Sequence, residues 1–193
     1  MAKKRSDADE SKELLLETAL TLLKDRGATK VTVAAVAEAA GCAKGLVHYH
    51  FKTKQKLWES VAEHLAETRA SKWTAALGAA TVSQAVSQSW ELLVEESGNG
   101  TTLAWISLSG PGSPLPDQSV KAMVRGFGDA INKALTDLLR GLSVDLRVPI
   151  DEITALLTSV IAGVGLHLLQ ERPEEPLENA YAAAWLGILS LGS

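Results

Sequence analysis

Val31–Lys54 reads VTVAAVAEAAGCAKGLVHYHFKTK, and its period decides the fold. Val33, Val36, Ala37 and Ala40 recur at i, i+3, i+4 and i+7, one apolar face of a short helix. Thr32 stands just ahead of that face, where a hydroxyl can accept from the unpaired amides of a first turn. Gly41 follows its last residue, where the chain must turn out with positive φ. A second short helix, Lys44 to His50, then buries Val47 and Phe51, again four apart. Two short helices joined by a tight glycine-containing turn form a helix-turn-helix, and the small Ala37 lets them cross closely.

Projecting the second helix at 100° per residue with Val47 inward sends Gly45 and Tyr49 outward. Leu46 and His48 fall on the flanks, and Lys44 and His50 nearer the inner edge. Between Gly41 and Lys56 the charged residues are Lys44, Lys52, Lys54 and Lys56, with no Asp or Glu. An outward aromatic, two histidines and a ring of lysines suit a DNA major groove and its phosphates.

Glu13 to Trp58 resembles the DNA-binding domain of TetR-family transcriptional regulators. The matching elements are LETALTLLKDRGATKVTVAAVAEAAG (residues 16–41) and KGLVHYHFKTKQKL (residues 44–57). The sequence departs at His48, where the family more often carries Tyr. The resemblance implies a homodimer that binds a double-stranded DNA operator and answers to a small-molecule effector. With helical position, it assigns Gly45, Leu46, His48 and Tyr49 to the groove and Thr32, Lys44, His50 and Lys54 to phosphates.

Charge agrees once the chain is divided. The net charge is −4, yet residues 1–60 hold 11 Lys+Arg against 8 Asp+Glu and the remainder 8 against 15. A basic head on an acidic body directs the head toward DNA. The single cysteine, Cys42, excludes an internal disulfide or a cysteine-built zinc site and fits a reducing cytoplasm. MAKKRSDADE lacks the apolar core of a signal peptide. Ser6 or Ser11 is expected to open a first helix with the stripe Leu15, Leu16, Ala19, Leu20, Leu22 and Leu23, ending at Arg26-Gly27. Thr53 is expected to cap a fourth helix whose first turn holds Lys54 and Lys56. Cations there oppose the helix dipole, which a DNA phosphate would relieve.

Beyond residue 80 every segment has helical period, giving an all-α chain. Its expected division is a helix-turn-helix domain, residues 1–56, and a helical effector-binding and dimerisation domain, residues 57–193. Two C-terminal helices are apolar around more than one face. The run Ile153–Leu169 barely reaches the ~17–25 residues of a membrane span and includes polar residues, so burial rather than a membrane is expected. Val160, Val164, Leu168, Tyr181, Trp185 and Ile188 are assigned to a four-helix dimer interface, with Gly163 and Gly165 permitting close crossing.

Trp73, Trp90, Trp105, Met123, Phe127 and His64 either line an apolar effector cavity or are core. No catalytic motif, nucleotide loop, metal-ligand spacing or cofactor fingerprint occurs. His48 and His50 stand about 200° apart on their helix, and His64 and His167 are isolated in sequence. The reading is therefore a non-enzymatic regulator without cofactor. The rival is a small-molecule-binding helical dimer whose basic head meets protein or non-specific DNA.

Overall fold

The computed structural model describes residues 2–142, 144 and 147–191, with side-chain environments from Asp9 onward. Among these residues the structure is all-helical. The helices are α1 (Ala2–Arg26), α2 (Val33–Ala39), α3 (Lys44–Phe51), α4 (Lys54–Leu77), α5 (Val82–Gly98), α6 (Thr101–Ser109), α7 (Asp117–Gly141), α8 (Ile150–Leu169) and α9 (Glu174–Ser190), with one 3-10 turn at Ala28–Lys30. α1 begins earlier than either serine suggested, since nothing from Ala2 to Lys12 is a Gly or Pro that would stop it.

The chain forms two compact units, residues 1–66 with 103–123, and 67–102 with 124–193. The first therefore takes in α6 and the start of α7 as well as the head. Its core joins Leu15, Ala19 and Leu23 of α1 to Val36 and Ala37 of α2, Val47 and Phe51 of α3, and Leu57, Trp58 and Val61 of α4. Ala104, Leu108 and Met123 complete it from the later segment. Gly27 ends α1 at φ 72°, and a Cβ there would lie 3.6 Å from the Ser107 side chain.

In the second unit α5, α8 and α9 pack on one another. α8 buries Ile153, Leu157, Ile161 and Val164, the i, i+4, i+8, i+11 stripe of a helix with one inward face. α9 buries Tyr181, Trp185 and Ile188. The Tyr181 hydroxyl donates to Ser89 Oγ at 2.8 Å, and burial pushes its pKa up. Gly165 serves a crossing inside this unit, because a Cβ there would come within 3.1 Å of Thr102 Cγ2. Gly163 is exposed and open.

A charged pair is buried in the same unit. Arg69 and Glu96 are 5% and 1% exposed, with Arg69 Nε donating to both Glu96 oxygens at 3.1 and 2.9 Å. Trp73 Nε1 donates to Glu96 Oε1 at 3.1 Å, and the guanidinium lies 4.4 Å from the Phe127 ring centroid. Sequence period marks both positions: Arg69 is four residues from Trp73, and Glu96 follows Leu92 and Leu93 at i+4 and i+3.

Losing one member of a buried pair leaves the other charge uncompensated, at a cost of about 3–5 kcal/mol, while an apolar pair of similar volume is often tolerated. Arg69→Ala and Glu96→Ala should each unfold at markedly lower urea than the parent. The double variant Arg69→Met with Glu96→Leu should recover most of that stability, as equilibrium denaturation will show.

Candidate nucleic-acid interface

The two short helices are held by local chemistry that fixes which residues face outward. Thr32 caps α2, its side chain accepting from Ala35 N–H at 3.1 Å. α2 ends with Gly41 at φ 65°. Gly41 N–H donates to Glu38 O at 3.1 Å and Cys42 N–H to Ala37 O at 2.9 Å, the paired bonds of a Schellman turn. Val47 and Phe51 then seat α3 in the core at 2% and 4% exposure.

That seating leaves Lys44, Gly45, His48 and Tyr49 exposed and Leu46 half-buried. Tyr49 is 62% exposed. Its ring meets His50 edge-on at 5.0 Å, and Lys52 Nζ lies 5.2 Å from its centroid. Lys52 holds φ 63°, a conformation L-residues rarely adopt, as the chain leaves α3 and turns into α4. His50 differs from the sequence expectation of a phosphate contact in one respect: its Nε2 is buried, with no hydrogen-bond partner among the described residues.

A depression of about 370 Å³ opens beside α3, lined by Thr32, Val33, Ala34, Lys44, Val47, His48, Lys52, Thr53 and Lys54. The starts of α2, α3 and α4 border it. Thr53 caps α4 by accepting from Lys56 N–H at 3.1 Å. Lys44 and Lys54 form no ion pair with a described residue, whereas Lys56 is held 2.6 Å from Glu59. Hydrogen bonds from Gln55 and then Lys56 keep the Glu59 carboxyl below its usual pKa. One lysine is thus neutralised and turned along the helix, and Lys44, Lys52 and Lys54 remain around the depression. Cations at helix starts add to the positive dipole end instead of offsetting it, and an anion would resolve both.

Four of the residues assigned to phosphate or groove, Thr32, Lys44, His48 and Lys54, line this depression. Gly45, Leu46 and Tyr49 lie on the outward side of the same helix. Lys52 and Thr53 line it as well and were outside the expected set. The signal for them was the triplet Lys52-Thr53-Lys54, a capping residue between two cations.

The expected effector and interface residues are distributed differently. His64, Trp105 and Met123 belong to the first unit, and Trp73, Trp90 and Phe127 to the second. His64 pairs with Glu17 at 3.0 Å. Trp73 meets Phe127 edge-on at 6.1 Å beside the Arg69–Glu96 pair, whereas Trp90 lies 5.9 Å from Tyr181. Val164, Tyr181, Trp185 and Ile188, expected in a dimer interface, are buried within their own unit and present no surface. Val160 and Leu168 are half-buried. The large exposed apolar residues of α8 and α9 are Leu156, Leu166 and Leu186, at 43%, 45% and 69%.

Comparison with known proteins places this geometry. Residues 15–61 match the family model of bacterial regulatory proteins, tetR family. Over 64 residues the chain is 33% identical to the HTH-type transcriptional regulator AcrR of Shigella flexneri, covering 33% of this chain and 30% of that protein. It is 31% identical to the HTH-type transcriptional regulator TtgR of Pseudomonas putida over the same coverage. The match thus spans less than a third of these relatives' length. Two solved structures share the fold nearly end to end. A putative TetR-family transcriptional regulator from Rhodococcus sp. aligns at TM-score 0.76 and 18% identity over 94% of this chain and 99% of that one. Reduced NemR of E. coli aligns at TM-score 0.76 and 21% identity, over 95% and 98%. The class is an all-α protein with a helix-turn-helix head. More narrowly, residues 15–61 match the helix-turn-helix domain of the tetR family, and the chain shares its overall fold with the two solved structures.

The cap at Thr32 sets how firmly α2 holds the edge of the depression. Thr32→Val should cost about 1 kcal/mol of stability, the usual worth of a side-chain cap, and Thr32→Asp should restore it. Chemical denaturation of the three proteins compares them directly.

Proposed function

We propose that this protein is a sequence-specific DNA-binding transcriptional regulator that acts as a homodimer. The observation that carries the reading is the acid-free, lysine-bordered depression with exposed Tyr49 beside it on α3. Lys44, Lys52 and Lys54, with the Thr32 and Thr53 hydroxyls, would hold backbone phosphates and set register. Gly45, Leu46, His48 and Tyr49 would meet base edges, with Gly45 permitting close approach and Leu46 touching a thymine methyl.

Assembly is supported by the outer faces of α8 and α9. Leu156, Ser159, Gly163 and Leu166 are exposed at i, i+3, i+7 and i+10, and Ala183, Leu186 and Ser190 repeat the spacing on α9. α8 is long and apolar enough to cross a membrane, but its inward stripe packs on α5 and α9. A second copy covering the outward stripe accounts for its composition without a bilayer. Two heads related by a twofold axis would read half-sites about 34–36 Å apart, or a multiple of that.

The regulator is proposed to be a repressor released by a small, largely apolar effector. Such a molecule would meet Trp73, Trp90 and Phe127, which are packed, so its binding must displace them. α4 carries both Lys54 and Trp73, which makes it the element an effector would act through. Operator and effector would then weaken each other by the same factor, typically about 5–150-fold.

Footprinting on promoter DNA, with affinity measured against salt, tests the DNA reading. Tyr49→Ala should weaken specific binding, and Lys54→Ala should lower the salt slope by about one unit for each phosphate that is no longer neutralised. Unchanged affinity and slope in both variants would remove α3 and α4 from the interface.

Sedimentation tests the assembly. Leu166→Glu with Leu186→Glu should yield folded monomers that no longer protect a palindrome. A parent chain that sediments as a monomer at micromolar concentration would overturn the dimer.

A further inference from the structure

The fold gathers three ligating side chains that lie far apart in sequence. Glu13 and Glu17 stand one turn apart on α1, and His64 reaches them from α4, all within the first unit. One ligand atom of each lies within 4.8 Å of the other two. His64 Nε2 is 3.0 Å from Glu17 Oε1, with the imidazole 28% exposed. The Glu13 carboxylate has no hydrogen bond or ion pair with a described residue. Like charges at i, i+4 disfavour a helix, so a cation held between the two carboxylates would relieve their repulsion.

We propose that Glu13, Glu17 and His64 bind a divalent transition-metal ion, Zn²⁺ first among them. The donor set argues the class. Two carboxylate oxygens supply charge, and an imidazole nitrogen favours Zn²⁺ and its neighbours over Mg²⁺ or Ca²⁺, which take oxygen ligands. Three protein ligands leave a fourth position for water, a common arrangement for Zn²⁺. Bonds of about 2.0–2.2 Å put neighbouring ligand atoms of a tetrahedron roughly 3.3–3.5 Å apart. The His64–Glu17 pair already has that spacing to within a few tenths of an ångström, and rotation of the exposed Glu13 side chain supplies the third donor. The ion ties α1 to α4, the helix whose first turn carries Lys54, and stiffens the first unit. The site stands independently of the DNA reading, and its test needs no operator.

The test uses the full chain without an affinity tag, stripped by chelator and titrated with Zn²⁺ by calorimetry and against a chromophoric chelator. One ion per chain is expected. Glu17→Gln and His64→Gln should each weaken binding by at least about tenfold, since loss of a ligand's outer-shell support alone costs 10–100-fold. His167→Gln, on an exposed residue of α8, should leave affinity unchanged. Co²⁺ should give a visible absorption band that disappears in His64→Gln, and circular dichroism confirms that the variants remain helical. Absence of Zn²⁺ binding in the parent, or affinity indifferent to Glu17→Gln and His64→Gln, reduces the trio to a surface ion pair and overturns the site.

Discussion

Everything the head presents depends on how α3 is held about its own axis. Val47 and Phe51, four residues apart, enter the core as a pair, and burying each contributes about 1.5–3 kcal/mol. A helix of eight residues is not stable alone, so these two contacts and the turn before it supply both its existence and its rotation. A slip of one position turns the helix by about 100°, which would bring Leu46 or His48 to the place of Val47 and carry Tyr49 off the outward side. The Schellman turn at Gly41 guards against that slip, because it fixes how many residues separate the α2 and α3 faces.

Against this rigid frame the electrostatics are uncompensated. Lys44 opens α3 and Lys54 opens α4, each at the positive end of a helix dipole, and neither is paired with a described carboxylate. Such placements disfavour the isolated fold by a few tenths of a kcal/mol each at an exposed site. Glu59 shows that compensation was available, since Lys56, two residues further on, has it. A surface that keeps cations where its own structure disfavours them is arranged for an external anion. On the proposed DNA reading, steering and non-specific attraction would come from these charges, and discrimination between sequences would fall to the outward side chains of α3.

The head was legible in the sequence because its determinants are local. Thr32, Gly41, Val47 and Phe51 each speak through spacing of four residues or fewer, and the structure repeats them. The C-terminal face was not legible for the opposite reason. α8 and α9 are apolar on more than one side, and period alone cannot rank two apolar faces. Packing ranks them by size and shape: Tyr181, Trp185 and Ile188 fill the unit's own core, leaving Leu186 and small neighbours outside. His50 shows the same limit at atomic scale, since a helical projection places a side chain but not the rotamer that buries one of its nitrogens.

The Arg69–Glu96 pair shows where a pattern was visible but its meaning was not. A charge in an apolar stripe is conspicuous, yet its partner lies on another helix, and only the fold reveals that the two meet beneath Trp73 and Phe127. A buried ion pair tolerates little displacement, because each charge loses its compensation as soon as the other moves. It therefore sets the register of α4 against α5 more sharply than apolar contacts, which permit sliding. Any molecule that enters among these rings meets that constraint. If it leaves the pair intact, α4 keeps its register; if it parts the pair, it must supply hydrogen bonds to both charges. An effector acting here would consequently need a polar group as well as an apolar body, even though the aromatic walls by themselves suggest only the latter.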